Sequence, residues 1–429
     1  MPSPASAPVS IAHADHKIQQ QHISANALKV VERLQQAGFA AYLVGGCIRD
    51  LLLGARPKDF DVATSATPEQ IKALFRNARL IGRRFRLAHV RFGREIIEVA
   101  TFRGPGEVGT EGDDRVIEDG RVTRDNVFGT EAEDARRRDF TINALMYDPA
   151  DQTIRDHVGG YSDVMARRLR LIGDPATRYR EDPVRLLRAV RFQVKLDLTM
   201  EPETAGPIVS MAPLLDDIPP ARLFDEILKL FMAGYAWPTY QALVRQALWP
   251  ELFPKLFKDP SSPPRLVEDA LKSTDKRVAE GLPVTPAFLF AAFLWQRVSA
   301  AAHVMIDQGT PPVDALAAAA EDVLAAQARK VALHRRFSTI AKEIWCMQPR
   351  FRKRRGKRAL RLINERRFRA AYDFLLLRVA EEPELQELAQ WWTDIQATSG
   401  EDQSRMVLAA PGGAKRKRRP RRRKPVTPQ

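Results

Sequence analysis

Two aspartates, Asp59 and Asp61, stand two residues apart in the run KDFDVAT. Side chains two apart on a strand share a face. A strand over 58–63 therefore puts both carboxylates on one side and turns Phe60 into the core. Two neighbouring carboxylates repel unless a cation lies between them, and hard oxygen ligands combined with substrate phosphates are the usual way Mg²⁺ is held. Upstream, Gly45-Gly46 lets the backbone approach phosphates closely. An isolated Asp-x-Asp is most often a pair of solvated loop acids. Here the glycine pair, Arg49-Asp50 and the two aspartates fall within seventeen residues, Gly45 to Asp61. The stretch Tyr42–Thr64 thus reads as a metal-dependent site for a nucleoside triphosphate.

Phosphoryl or nucleotidyl transfer between two Mg²⁺ ions calls for a third carboxylate. Glu98 sits inside the apolar run EIIEVATF, where burying an unpaired acid would be costly; the alternative is a strand-edge acid facing solvent. Asp139 follows three arginines, and its alternative is an ion pair with Arg137 or Arg138. The arginines Arg136–Arg138 suit phosphate because guanidinium binds it bidentately, although a charge run can also be a solvated face. Farther on, a helix opening at Glu181-Asp182-Pro183 carries Arg185, Arg188 and Arg191 at a spacing of three. Asp182 suits an N-cap; an Asp/Arg pair three apart can also read the edge of adenine.

Supporting elements can be placed from patterning. Ser24 opens an amphipathic helix (Leu28, Val31, Leu34) that ends near Gly38. A strand follows over 39–44 and a short helix over 47–53. Thr67-Pro68-Glu69-Gln70 is a capping box with proline at the first helical position. Strands are expected over 87–92 and 95–102, joined by a turn at Gly93. The segment from Gly104 to about Glu133 has little periodicity, and a helix-like segment is expected to start at Arg136. From about Gly159 the chain reads as helical, with helices opening at Pro183 and Pro220.

The net charge of +15 points to a polyanionic partner. Nine Lys/Arg lie between Lys415 and Lys424, and without them 15 − 9 leaves +6, so the body is basic too. Arg350 to Arg369 holds eleven Lys/Arg and one acid, with Phe351 and Phe368 interleaved. That composition suits contacts to a nucleic-acid backbone or, alternatively, a solvated helical face. The two cysteines, Cys47 and Cys346, form no disulfide framework or zinc cluster, which suits a reducing, cytoplasmic setting. The N-terminus lacks the pattern of a secretion signal. The apolar run 286–295 is shorter than the ~18 residues a span requires, so a buried helix is expected and no transmembrane segment.

Taken in order, LVGGCIRDLLLG, KDFDVAT, RRDFTINAL, DHVGGYSDV and EDPVRLLRAVRF resemble the class II nucleotidyltransferases of the polymerase β superfamily, the bacterial group of tRNA nucleotidyltransferases and poly(A) polymerases. The likeness covers roughly residues 25–400. It implies an α+β fold: a small nucleotidyltransferase head with a short mixed sheet, then a mostly α-helical neck and body and a disordered basic tail. The expected divisions are a disordered segment 1–23, a catalytic head 24–150, a neck 151–215 for nucleotide recognition and RNA binding, a helical body 216–400 and the tail 401–429. By the same resemblance Gly45 and Gly46 form the triphosphate turn, and Asp59 and Asp61 hold metal. Arg49 contacts the nucleotide's sugar or phosphates, as Arg137 and Arg138 belong to the motif completing the head. Asp139 or Glu98 supplies the third acid. Asp182 and Arg185 read adenine, with Arg188 completing the nucleotide-binding set. Cys47 follows the glycine pair where members often carry glycine or another small residue.

Two activities share these motifs. GRRFRLAHV, IIEVATFRG, GDPATRYREDPVRLLRAVRF, the helices downstream and the Arg-rich tail look more like the poly(A) polymerase branch than the CCA-adding one. The resemblance therefore implies a template-independent polynucleotide adenylyltransferase using ATP and Mg²⁺ on RNA 3′ ends with little sequence preference. Proteins of RNA decay or RNA chaperoning would be further partners. The alternatives are a CCA-adding tRNA nucleotidyltransferase and a non-catalytic RNA-binding relative.

Overall fold

A computed structural model of the chain describes residues 7–82, 86–104 and 127–410, together with the backbone of a hairpin, Arg115–Glu118 and Arg121–Asp125. The chain divides into two compact units, Met1–Ile218 with Arg245–Glu251, and Pro219–Val244 with Leu252–Gln429.

The first unit is built on one mixed sheet. Its strands are β1 (Val9–Ile11), β2 (Ala41–Val44), β3 (Asp61–Thr64), β4 (Ala78–Ile81), β5 (Leu87–Phe92) and β6 (Glu95–Thr101), followed, after the hairpin strands β7 (Arg115–Glu118) and β8 (Arg121–Asp125), by β9 (Met146–Asp148) and β10 (Thr153–Asp156). The eight strands of the main sheet run in the order β1-β10-β9-β2-β3-β6-β5-β4. Within this sheet, among the described residues, only β3 and β6 pair in parallel. The chain leaves β2 through Gly45 into the Gly46–Leu52 helix, then returns in β3 with Val44 opposite Asp61. The glycine turn and the acid pair are thus brought to one end of one strand pair.

The Ala25–Gln36 helix starts because Ser24 accepts hydrogen bonds from Asn26 and Ala27 N–H groups. It buries Ala27, Val30, Val31 and Leu34 at the expected helical spacing. The capping box at Thr67 is formed, and Gly93 takes the β5–β6 turn at φ +61°.

Several boundaries differ from expectation. Asp61 begins β3, so Asp59 lies just before the strand and not within it, while Phe60 is buried. Arg136 and Arg137 end the Glu131–Arg137 helix, and Asp139 follows it. This helix starts at Thr130, whose capping box with Glu133 overrides the run of arginines. The Pro/Ser/Ala/Gln-rich start, expected to be disordered through residue 23, is ordered from residue 7: β1 adds to β10 with Val9 opposite Asp156, and Ile11, His16 and Ile18 are buried. Its polar composition is offset by long-range anchors, among them the bond of His16 Nε2 to Gln152 O at 2.8 Å. The first part of the tail expected from 401 forms a helix, Glu401–Ala409; residues 411–429, with the nine basic residues, lie outside the described residues.

The second unit is helical. Its central helix, Pro286–Asp307, is 22 residues, long enough by length and composition to cross a membrane. It extends past the apolar run, and half of its most apolar window is buried inside the protein. Trp345 donates to Ala291 O of this helix at 3.0 Å. A separate apolar cluster joins Phe351, Leu362, Phe368, Tyr372, Trp392 and Val407.

Candidate active site

The central acids are set by sheet register. Asp61 is the register partner of Glu98 on the parallel neighbour β6, and Glu98 is in turn opposite His89 on β5. Register partners present side chains to the same face, so Asp61, Glu98 and His89 form a row across three strands. His89 Nε2 lies 3.2 Å from Glu98 Oε1, with the Glu98 side chain half exposed. Glu98 is therefore a solvent-facing acid beside Asp61. Asp59 is exposed just ahead of the row. Although Asp61 keeps an open edge to solvent, desolvation by the surrounding protein is the largest influence on its carboxyl. Desolvation and the charges of Glu98 and Asp59 push its pKa up to about 6, with Arg138 pulling the other way.

This surplus of negative charge on hard oxygens suits Mg²⁺. Among the described residues, no three His, Cys, Asp or Glu side chains converge into a ready cage. Mg²⁺ characteristically leaves part of its shell to substrate phosphates, so the donor set fits an ion completed by a nucleotide.

Gly45 takes φ +79°, and a Cβ there would lie 3.2 Å from Arg138 Nη1. The Arg138 guanidinium therefore lies directly against the turn. It is held by Asp134 Oδ2 at 3.0 and 3.1 Å and by the Asn143 carbonyl at 3.3 Å. Arg137 is turned elsewhere and donates to Gly104 O at 2.6 Å, while Arg136 is exposed. Arg49 is buried; it donates to Asp50 Oδ1 at 2.6 and 2.8 Å and to Asn143 Oδ1 at 2.5 Å.

Asp139 does not pair with Arg137 or Arg138. Its Oδ2 accepts a bidentate pair of bonds from Arg188, through Nε at 2.7 Å and through Nη2. Its Oδ1 accepts from Phe140 N at 2.8 Å and Asn143 Nδ2 at 3.1 Å. Burial alone would raise its pKa, but Arg188 and these donors more than offset it and hold the carboxyl below its usual value. Asp139 is thus saturated by protein donors, and the charges acting on Asp61 come from Glu98, Arg138 and Asp59.

Asp182 closes the Pro175–Glu181 helix and accepts from Val184 N at 3.4 Å, at the start of the Val184–Leu196 helix. Arg185 is clasped by Arg178 O at 2.6 Å and Glu181 Oε2 at 3.0 Å. Arg188 and Arg49 both lie over the Phe192 ring, 5.5 and 5.3 Å from its centre.

Three residues that sequence reasoning missed hold these parts together. Asn143 joins Arg49 to Asp139. Arg178 donates to the carbonyls of Arg137 and Arg138 at 2.8 and 2.6 Å. Asp156 accepts four backbone N–H bonds of 2.9–3.0 Å from residues Val158, Gly159, Gly160 and Tyr161, which fixes the DHVGGYSDV turn. Only the signature stretches containing them hinted at a role.

In the second unit the basic run 350–369 sorts into two sets. Arg350, Arg354, Arg367 and Arg369 are paired with Glu365, Glu387, Glu343 and Asp373. Arg352, Lys353, Arg355, Lys357, Arg358, Arg361 and Arg366 are exposed. Phe351 and Phe368 are core residues and offer no stacking surface.

Comparison with known proteins gives matches along most of the chain. A family described as "Poly A polymerase head domain" matches residues 41–170, "Probable RNA and SrmB-binding site of polymerase A" matches 197–259, and "Polymerase A arginine-rich C-terminus" matches 308–425. The chain is 50% identical over 428 residues to poly(A) polymerase I of Escherichia coli O6:H1, covering 97% of this chain and 92% of that protein. It is 48% identical over 424 residues to poly(A) polymerase I of Haemophilus influenzae, covering 96% and 94%. A CCA-adding enzyme of Bacillus pumilus is 36% identical over 235 residues, 54% of this chain and 56% of that one. Among solved structures, a CCA-adding enzyme in an apo form superposes with a TM-score of 0.61 at 18% identity, covering 94% of this chain and 92% of that one. A Thermotoga maritima CCA-adding enzyme complexed with tRNA gives 0.60 at 17% identity, covering 94% and 91%. These superpositions establish the shared fold.

Proposed function

The chain belongs to the bacterial poly(A) polymerase family of nucleotidyltransferases, and on that premise we propose how its own residues add AMP from ATP to RNA 3′ ends. The RNA 3′-hydroxyl oxygen forms the new bond to the α-phosphorus. The bond from that phosphorus to the β-phosphate bridge breaks, and pyrophosphate leaves while the hydroxyl proton passes to solvent. Asp59, Asp61 and Glu98 would hold Mg²⁺. When bound, it neutralises triphosphate charge and lowers the pKa of the attacking hydroxyl.

The rest is positioning and electrostatics. Gly45 and Gly46 leave room for phosphate oxygens against the backbone, with Arg138 beside them as a fixed cation. Arg49 is held ready by Asp50 and Asn143. Asp182 and Arg185 read adenine, Arg185 being pre-set by Arg178 and Glu181. Asp139 acts through Arg188 and Asn143, as a positioning acid and not as a metal ligand. The register of Asp61 with Glu98, beside exposed Asp59, carries this assignment.

Exposed cations of the second unit and the basic tail would hold RNA through its phosphates, without strong sequence preference. A cytoplasmic setting and partners from RNA decay or RNA chaperoning belong to the same proposal.

The decisive experiment incubates the purified chain with Mg²⁺, a generic RNA and one nucleotide at a time. Long adenosine tails from ATP alone are expected. Extension that needs CTP and stops after three nucleotides on tRNA would overturn the reading.

A further inference from the structure

Four groups form a continuous chain inside the first unit: Arg49, the Asn143 amide, the Asp139 carboxylate and Arg188. One end adjoins the glycine turn, since a Cβ on Gly46 would lie 3.4 Å from Arg49 Nη2. The other end lies on the Val184–Leu196 helix, whose start carries Asp182 and Arg185. Asn143 is buried, and its two bonds have opposite polarity: the carbonyl oxygen accepts from a guanidinium, and the NH₂ donates to a carboxylate. A primary amide is the neutral side chain that serves a cation and an anion at once. Leucine fills the same space and leaves both charges one partner short. Aspartate still serves Arg49 but turns an acceptor toward the Asp139 carboxylate.

We propose that Asn143 is a positioning residue that keys the triphosphate end of the site to the base-reading end, so that correct base pairing with the protein and correct placement of the α-phosphate occur together. This rests on the reading of Asp182, Arg185 and Arg49 given above. The backbone of the same residue adds a third link, because its carbonyl accepts from Arg138 at the glycine turn. Loss of the amide frees Arg49 and the Asp139–Arg188 pair to settle independently. A misplacement of about 1 Å can cost on the order of 10²-fold in rate.

The test is single-nucleotide addition to an RNA oligomer with ATP and with CTP, for the intact chain, Asn143→Leu, Asn143→Asp, Arg49→Met and the double variant Asn143→Leu/Arg49→Met. For Asn143→Leu, kcat with ATP should fall by roughly 30-fold or more, KM for ATP should stay within about 3-fold, and the preference for ATP over CTP should narrow. The double variant should lose little beyond the larger single loss, as coupled residues do. Asn143→Asp, which keeps size and the Arg49 partner, should show the same narrowed preference and serves if Asn143→Leu does not fold. If kcat and the ATP/CTP ratio of the folded variants stay within about 3-fold of the intact chain, or the double variant is fully additive, the proposal fails. Failure of the underlying reading looks different: the intact chain itself would not prefer ATP, or Arg185→Ala would leave that preference unchanged.

Discussion

Asp61 and Glu98 stand in register on adjacent parallel strands, so two carboxylates share one solvent-facing row of the sheet. The cost of this arrangement falls on Asp61, whose pKa rises to about 6 through desolvation first and the Glu98 charge second. A raised carboxyl pKa means that the folded protein holds more of this proton than the unfolded chain between pH ~4 and ~6. Without divalent cations, this group's contribution to stability should therefore decline as pH rises through that window. Urea unfolding in chelator from pH 4 to 8 checks the sign: Asp61→Asn should be more stable than the intact chain above pH 6 and lose that advantage near pH 4. Equal pH slopes for the two proteins would contradict this. Transfer activity, assayed with Mg²⁺, should not follow this window, because a cation on Asp61 favours the charged carboxylate and lowers its pKa.

Glu98 and Asp139 should be separable by what breaks when each is neutralised. Glu98→Gln removes an exposed charge beside Asp61, so turnover should fall by on the order of 10²-fold with little change in unfolding midpoint. Asp139→Asn leaves Arg188 facing an uncharged partner at a mostly buried site, and breaking such a pair costs about 3 kcal/mol. It should lower stability measurably as well as activity. Parallel urea titrations and turnover assays distinguish the two patterns; a Glu98→Gln protein with full turnover would remove it from the metal set.

Turns and helix starts were legible because they are written in adjacent residues. The glycine turn, the capping box at Thr67 and the N-cap at Ser24 each depend on a few consecutive positions. What escaped was pairing across the fold. Nothing near Val9 announces that it will lie opposite Asp156, and Asn143 has no periodicity that marks it as the bridge between Arg49 and Asp139. Asp139 was weighed against Arg137 and Arg138 because they precede it, whereas its partner Arg188 lies forty-nine positions away. Sequence spacing reports on one element at a time; ion pairs and register belong to the packing of several.

The two classes of cation in the second unit should differ in the salt dependence of RNA binding. Each phosphate contact on a single strand contributes about 0.7 to the slope of log K against log salt. Replacing exposed Lys357, Arg358 and Arg361 by glutamine should reduce that slope by about 2, without altering the ATP preference. Arg350→Gln removes a partner of Glu365 instead, and should leave the slope nearly unchanged. Fluorescence titrations of a labelled oligomer at several salt concentrations measure both. A slope unaffected by the triple change would place the RNA elsewhere.

Three glycine-to-alanine changes separate backbone cost from crowding. Gly38 takes φ +87° with nothing within 4 Å of an added Cβ, so Gly38→Ala should cost about 1 kcal/mol from conformation alone and leave activity intact. Gly160 has no such φ, but an added Cβ would meet Thr141 O at 2.2 Å and Thr141 C at 2.9 Å. Overpacking there should cost about 1–3 kcal/mol or more and disturb the Thr141–Asn143 turn, reducing turnover together with stability. Gly45 combines φ +79° with an approach of 3.2 Å to Arg138 Nη1. With ψ at −130°, Gly45 also lies outside the left-handed region that other residues can reach, so Gly45→Ala should lose more stability than Gly38→Ala while remaining folded. Its turnover should fall by roughly 10-fold or more, because the displaced cation is the one lying against the phosphate turn. Melting temperatures and single-nucleotide rates for the three proteins, measured side by side, decide it: a Gly45→Ala protein as active as Gly38→Ala would show that neither the turn nor Arg138 meets the triphosphate.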